Sequence, residues 1–165
     1  MTNENTNILF WADDISVESA QQGKEITVHH PDLIVLVILS KGGYVVLQQG
    51  HRAGTDREEY TLPHTIAEKI EEAPEEIANL LKKINVRSQK ITLIQSLSAF
   101  PDKFSPLYHI YFVYDADVRG DVSKEFVLTP LQQYEGLITQ GKLSDAITIT
   151  ALHLVKSRLY ELVKH

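Results

Sequence analysis

Leu33-Ile-Val-Leu-Val-Ile-Leu39 is the longest apolar run in the chain. Its density of β-branched residues suits a strand buried on both faces, where no polar alternation is needed. It is the expected central strand. Lys41-Gly42-Gly43, directly after it, is a hairpin signal, and Tyr44 to Gln49 returns as a second strand, so the two are expected to pair antiparallel. Upstream, Ile8 to Trp11 and Glu25 to His29 read as short strands. Downstream, Gly50 to Glu59 carries charge, breakers and no periodicity. It predicts a loop, followed by a short extended piece, Tyr60 to Leu62, that ends at Pro63.

From Pro74 onward the period changes. Ile77, Leu80, Leu81 and Ile84 recur at helical spacing, Pro74 suits the first turn, and Glu75 and Glu76 complement the N-terminal dipole. An amphipathic helix ending near Asn85 is expected. Two strands follow, Lys90 to Ser98 and Tyr108 to Asp115, separated by the turn-rich loop Phe100-Pro-Asp-Lys-Phe-Ser-Pro106, with a further short strand at Phe126 to Leu128. Pro130 to Thr139 reads as a helix stopped by Gly141. Ser144 is the expected cap of a long final helix with a stripe of Ile147, Ala151, Val155, Leu159 and Leu162. Several strands, one short helix among them and two helices at the end make a mixed α/β sandwich without regular βαβ alternation.

Composition narrows the chemistry. The 165 residues suit one domain, and 43% apolar and 23% charged residues with only 8 Gly and 6 Pro describe a globular chain. Cysteine is absent, which excludes disulfides, thiolate metal sites and Cys nucleophiles. Sixteen basic against 22 acidic residues give a net charge of -6, the wrong sign for a general phosphate-backbone binder, so nucleic acid is not an expected partner. No run is long enough to span a bilayer, and the polar, acidic start does not read as a signal peptide, so the expected compartment is the cytoplasm.

Four places in this order resemble the Nudix superfamily, in its ADP-ribose pyrophosphatase-like branch, over about Leu33 to Leu159. Val45-Val-Leu-Gln-Gln-Gly-His-Arg52 is similar to that branch's Leu-Val-x-Gln-x-Arg segment, with Arg52 matching. Tyr60-Thr-Leu-Pro63 resembles its Tyr-Glu-Leu-Pro approach, with Thr61 in place of the acid. Ala73-Pro-Glu-Glu76 resembles the Ser-Pro-Glu-Glu start of the Nudix helix. Gly141-Lys-Leu-Ser-Asp-Ala-Ile-Thr148 is similar to the Gly-x-Ile-x-Asp-Ala-x-Thr signature opening the last helix, and is the most specific of the four. The resemblance implies a single Nudix-type α/β/α sandwich with a mixed sheet, spanning residues 1–165. It also implies a homodimer, with the N-terminal strands, about residues 8–29, contributing to the contact.

The Nudix box departs from its pattern. In the family its glutamates bind Mg²⁺, a hard cation that polarises the pyrophosphate and activates water. Aligned from its end, Val86 and Asn85 take the aliphatic and Gly places, Lys82 and Lys83 the Glu-Glu pair, Ala78 and Asn79 the Arg-Glu pair, Ile70 the first Glu and His64 the first Gly. Aligned from Leu62-Pro63, Glu71 falls at the first Glu, but Asn79-Leu80 replace Arg-Glu and Lys83-Ile84 replace the Glu pair. Either register puts lysine where a ligand belongs, and a like charge there opposes a cation. The loop before the later strand, where the branch carries an acid, has Leu107 at about that place and no acidic residue between Lys103 and Ile110.

No catalytic residue, metal ligand or cofactor is therefore expected. Arg52, Lys82 and Lys83 are the candidates to hold a diphosphate directly, with His64, the histidine nearest the expected cleft, beside them. The neighbouring acids Glu68, Glu71, Glu72, Glu75 and Glu76 leave open a relocated Mg²⁺ site. Seven histidines match no zinc spacing, and no Gly-x-Ser-x-Gly elbow or Walker loop occurs. Two readings follow from the resemblance. One is a silent or impaired module binding a nucleoside diphosphate sugar or a protein partner; the other is a divergent hydrolase of ADP-ribose or a related compound.

Overall fold

In a computed structural model, the chain is described over residues 7–12, 15–20, 25–52, 57–99, 106–118 and 124–163. Among these residues there are two sheets. The small one joins β1 (Asn7–Ala12), β2 (Ile15–Ala20) and β3 (Glu25–His29) as antiparallel neighbours in that order. The large one has eight strands. Its centre is β4 (Asp32–Ser40), which pairs with β5 (Tyr44–Arg52), β7 (His64–Ala67) and β10 (Leu107–Val118). β6 (Arg57–Thr61) and β11 (Phe126–Pro130) pair with β5, while β8 (Val86–Arg87) and β9 (Lys90–Ser98) pair with β10. The β4–β10 pairing is parallel and the others are antiparallel, so the sheet is mixed.

The apolar run explains the three layers. Side chains alternate across a strand. Ile34, Leu36 and Ile38 pack with Ile77, Leu80, Leu81 and Ile84 of α1 (Ala73–Ile84). Val35, Val37 and Leu39 pack instead with Tyr134 of α2 (Tyr134–Thr139) and with Ala151, Leu152 and Val155 of α3 (Ala146–Leu162). A strand wanted by helices on both faces must be apolar throughout, and the expected α/β/α sandwich is the result.

Several expectations change at their boundaries. Gly50 to Glu59 is largely strand rather than loop, because β5 runs on to Arg52 and pairs with β6 from Arg57. Residues 53–56 and the loop at 100–105 lie outside the described residues. Pro130 ends β11 rather than starting a helix, since its carbonyl-side neighbours 131–133 form a 3₁₀ turn before α2. The cap of α3 is Asp145, not Ser144: the Asp145 carboxylate accepts from the Thr148 N–H at 2.7 Å, while the Ser144 hydroxyl is committed to Glu59. β2 falls within the expected N-terminal strand region of about residues 8–29, while β7 and β8 are additional strands. No helix among the described residues is long and apolar enough to cross a membrane.

Candidate functional site

The segment Gly141 to Thr148 builds one wall of a cleft. Gly141 adopts φ +68°, a left-handed conformation that suits glycine, and closes the turn after α2. Leu143 is then buried, and Lys142 gives its carbonyl to the Tyr60 N–H at 2.8 Å. Ser144 donates its backbone N–H and its hydroxyl to the buried Glu59 carboxylate. Asp145 caps the helix, and the Thr148 hydroxyl accepts from the buried Leu62 N–H at 3.1 Å. One eight-residue motif thus ties the start of α3 to β6 and the turn after it.

The cleft opens beside these ties. A cavity of about 270 Å³ is lined by Gln48, Gly50, His51, Glu59, Thr61, His64 and Asp145. A second, about 210 Å³, shares Thr61, His64 and Asp145 with it and continues over Val35, Tyr108 and Thr148. His64 is exposed at the shared boundary. Its Nδ1 lies 3.0 Å from the Leu62 carbonyl, which can only accept, so Nδ1 carries the proton and Nε2 is left as an acceptor in the neutral ring. Burial holds the Tyr108 phenol above its ordinary pKa, with Asp145 adding to the effect, so its hydroxyl stays protonated and able to donate.

The other candidates stand apart from His64. Arg52 ends β5 opposite Arg57, and its side chain lies outside the described structure. Lys82, exposed on α1, lines a larger cavity of about 530 Å³ with Lys41, Arg87, Asp115 and Asp117. Lys83 is ion-paired with Glu125 at 3.2 Å. Asn85 ends α1 in the left-handed conformation, φ 65° and ψ 42°, with its N–H returned to the carbonyls of Leu81 and Lys82. Glu71 lies exposed in the 3₁₀ turn before α1. Among the described residues no three His, Asp or Glu side chains gather in a way that could hold a metal ion.

Sequence reasoning passed over Glu59 and Asp145, both of which line the cleft. Asp145 was within the quoted motif; Glu59, inside a charged stretch, gave no sign of burial.

No family model matches the chain, and no curated protein matches it in sequence. Among solved structures, one described as "Crystal structure of ADP compounds hydrolase" superposes with a TM-score of 0.75 at 20% identity, covering 95% of this chain and 92% of that one. At that identity the likeness is one of fold, and the fold is the Nudix-type sandwich that the sequence led us to expect.

Proposed function

We propose that this chain is a Nudix-like module that binds a nucleoside diphosphate sugar and is silent or impaired in metal-dependent cleavage. The observation that carries the reading is the cap of α1. A left-handed residue is where a Gly is most at home, and Asn85 takes that conformation with Val86 directly after it. This supports the register aligned from the end of the box, with Lys82 and Lys83 at the Glu-Glu places and Asn79 at the preceding Glu. An ammonium group has no lone pair to give a cation, so Mg²⁺ does not fit these positions.

In this reading the ligand enters the cleft at His64, whose free Nε2 accepts a hydroxyl proton. Arg52, at the end of the strand that carries Gly50 and His51 of the cleft, is the candidate to meet the phosphates, while Lys82 sits on the separate cavity at the end of α1 and Lys83 is paired with Glu125. The small sheet forms the contact of a homodimer; its exposed Ile8, Ile15 and Ile26 support that role. Replacing Ile26 by Asp is expected to convert a dimer to a monomer in sedimentation.

The test is calorimetric titration with ADP-ribose, with and without Mg²⁺, while the same samples are assayed for AMP. Metal-independent binding without turnover is expected. Metal-dependent turnover would favour a second reading, a divergent hydrolase of ADP-ribose or another nucleoside diphosphate derivative. That reading draws support from the hydrolase of like fold and from the exposed acids Glu71, Glu72 and Glu75 ahead of and at the start of α1. Absence of heat would leave a partner-binding role.

A further inference from the structure

Away from the cleft, three segments of the large sheet bring together a serine, a histidine and an aspartate. His109 of β10 is buried, with its side chain 7% exposed. Its Nδ1 lies 2.8 Å from the Ser96 hydroxyl on β9, directly across the strand pair, and its Nε2 lies 3.0 Å from Asp32 Oδ2 at the start of β4. The other carboxylate oxygen of Asp32 accepts the Leu107 N–H at 2.8 Å. None of the three lines the cleft at His64.

The direction of these hydrogen bonds follows from the charge state of the ring. An ionised carboxylate only accepts, so in a neutral His109 ring Nε2 is the protonated nitrogen. In that neutral ring Nδ1 is bare, and the Ser96 hydroxyl donates to it across the 2.8 Å contact. A base held in one tautomer by a carboxylate, its lone pair on a serine hydroxyl, is the arrangement that makes serine a nucleophile. Here the two ring nitrogens exchange the roles they have in serine proteases, which leaves the proton path unchanged. Ser96 is the exposed member and His109 the buried one, so the hydroxyl faces solvent while its base is sheltered.

We propose that Ser96 is an activated nucleophile toward small activated carboxylic esters. Ser96 Oγ bonds to the ester carbonyl carbon as its proton passes to His109 Nδ1, and Asp32 holds the imidazolium through Nε2. The bond to the leaving oxygen breaks, and that oxygen takes the proton from Nδ1 and departs as an alcohol or phenol. Water, deprotonated by the same nitrogen, then releases the acid and restores Ser96. The exposed strand position fits a small reagent that needs no deep pocket. Ser96 and His109 act on the proton and the substrate; Asp32 is a positioning residue.

The test follows nitrophenol release from p-nitrophenyl acetate by the full chain. A parallel reaction with an alkyl fluorophosphonate, in which the P–F bond breaks as Oγ–P forms, is mapped by peptide mass. We expect the label on Ser96 and loss of the enzyme-dependent release in Ser96→Ala, an exposed change that leaves the fold intact. Asp32→Asn keeps an acceptor for Leu107 but lets the amide steer the ring to the other tautomer. It is expected to slow release about a hundredfold while nitrogen NMR of the His109 ring reports the switched tautomer and the melting temperature holds. Release equal in wild type and Ser96→Ala, a label elsewhere, or an Asp32→Asn rate equal to wild type with the tautomer switched would each overturn the proposal.

Discussion

Helices α1 and α3 cover opposite faces of one sheet and bury comparable stripes, yet their polar parts are treated differently. On α1 the buried residues are Ala73, Ile77, Leu80, Leu81 and Ile84; on α3 they are Thr148, Ala151, Leu152 and Val155. The start of α3 is capped by Asp145 and fastened by Ser144 and Thr148 to β6 and Leu62. The start of α1 has no side-chain cap, and its outward residues Asn79 and Lys82 face solvent or open cavities. The difference separates two kinds of constraint. A face that fills the core, or a polar group that must be satisfied in the core, is held by packing. An outward face can change its charge with little cost to the fold, and function lives on such faces.

The strongest test of this contrast is on the buried stripes, where the two helices are expected to behave alike. Ile84 and Leu152 are both fully buried, in different clusters. Each alanine variant is expected to lose about 2–5 kcal/mol in urea unfolding, and the double variant to lose the sum to within about 0.5 kcal/mol. A much smaller loss at Ile84 would mean that α1 is loosely held, and the comparison would fail at its first step.

The next effect belongs to α3 alone. Thr148→Val keeps the shape but removes the acceptor of the Leu62 N–H, and Leu62 is 1% exposed. A buried donor left without a partner costs about 1–3 kcal/mol, while Asp145→Ala costs about 1 kcal/mol as a lost cap. Among the described residues the start of α1 has only a long contact of this kind, the Thr65 hydroxyl donating to the Glu76 carboxylate at 3.5 Å. At its end, Asn85→Ala is expected to cost about 1 kcal/mol because alanine resists a left-handed backbone. Asn85→Gly is expected to leave stability unchanged or slightly higher. Equal unfolding curves for the Ala and Gly variants would remove the support that Asn85 gives to the box register.

On the outward face the expected split is between stability and binding. Lys82→Glu should leave the unfolding midpoint within about 0.5 kcal/mol of wild type, since the side chain is exposed and no ion pair of it is described. ADP-ribose affinity, measured by calorimetry, is expected to fall. His64→Ala, at the cleft itself, is expected to weaken binding more than Lys82→Glu. If the lysine change has no effect on affinity, the cavity at the end of α1, which shares no lining residue with the cleft at His64, takes no part in binding and the diphosphate contact belongs to the cleft alone.

The sequence was most legible where the signal is local. The run at 33–39 and the stripe at 77–84 each show their period within a few turns or pleats, and both elements lie within a residue or two of expectation. β6 was hidden because Arg57-Glu-Glu59 reads as a charged loop, and the partner that buries Glu59 is 85 residues away. β7 has only four residues after Pro63 and gives no alternation to detect. Asp145, one residue past the expected cap Ser144, caps α3 because Glu59 takes the serine. The Ser96–His109–Asp32 relay spans separations of 13 and 77 residues, and no spacing rule joins them. The β9–β10 register shifts between Ile110 and Tyr111, and His109 and Ser96 pair directly on one side of that shift.

The smallest effect concerns the ion pairs that bracket the two helix faces. Lys156 of α3 reaches Glu135 of α2 at 2.6 Å, and Lys90 of β9 reaches Asp115 of β10. Hydrogen bonding to the ammonium lowers the Glu135 and Asp115 carboxyl pKa values, and the same bonds raise those of Lys156 and Lys90. A lowered carboxyl pKa contributes stability that is present above the unfolded value, near about pH 4, and is lost as pH falls through the folded one. A raised ammonium pKa contributes stability that is present below about pH 10 and is lost as pH rises through the folded value. The contribution is therefore a plateau that fades at both ends, and at exposed sites it is small and screened by salt. Lys156→Gln is expected to melt slightly below wild type at neutral pH and to converge with it in acid or in high salt. Convergence at neutral pH already would mean that the clasp between α2 and α3 rests on Tyr134, fully buried and hydrogen-bonded to His153 at 3.0 Å, rather than on charge. That outcome would sharpen the contrast between the helices, because what distinguishes α3 would then be its buried hydrogen bonds alone.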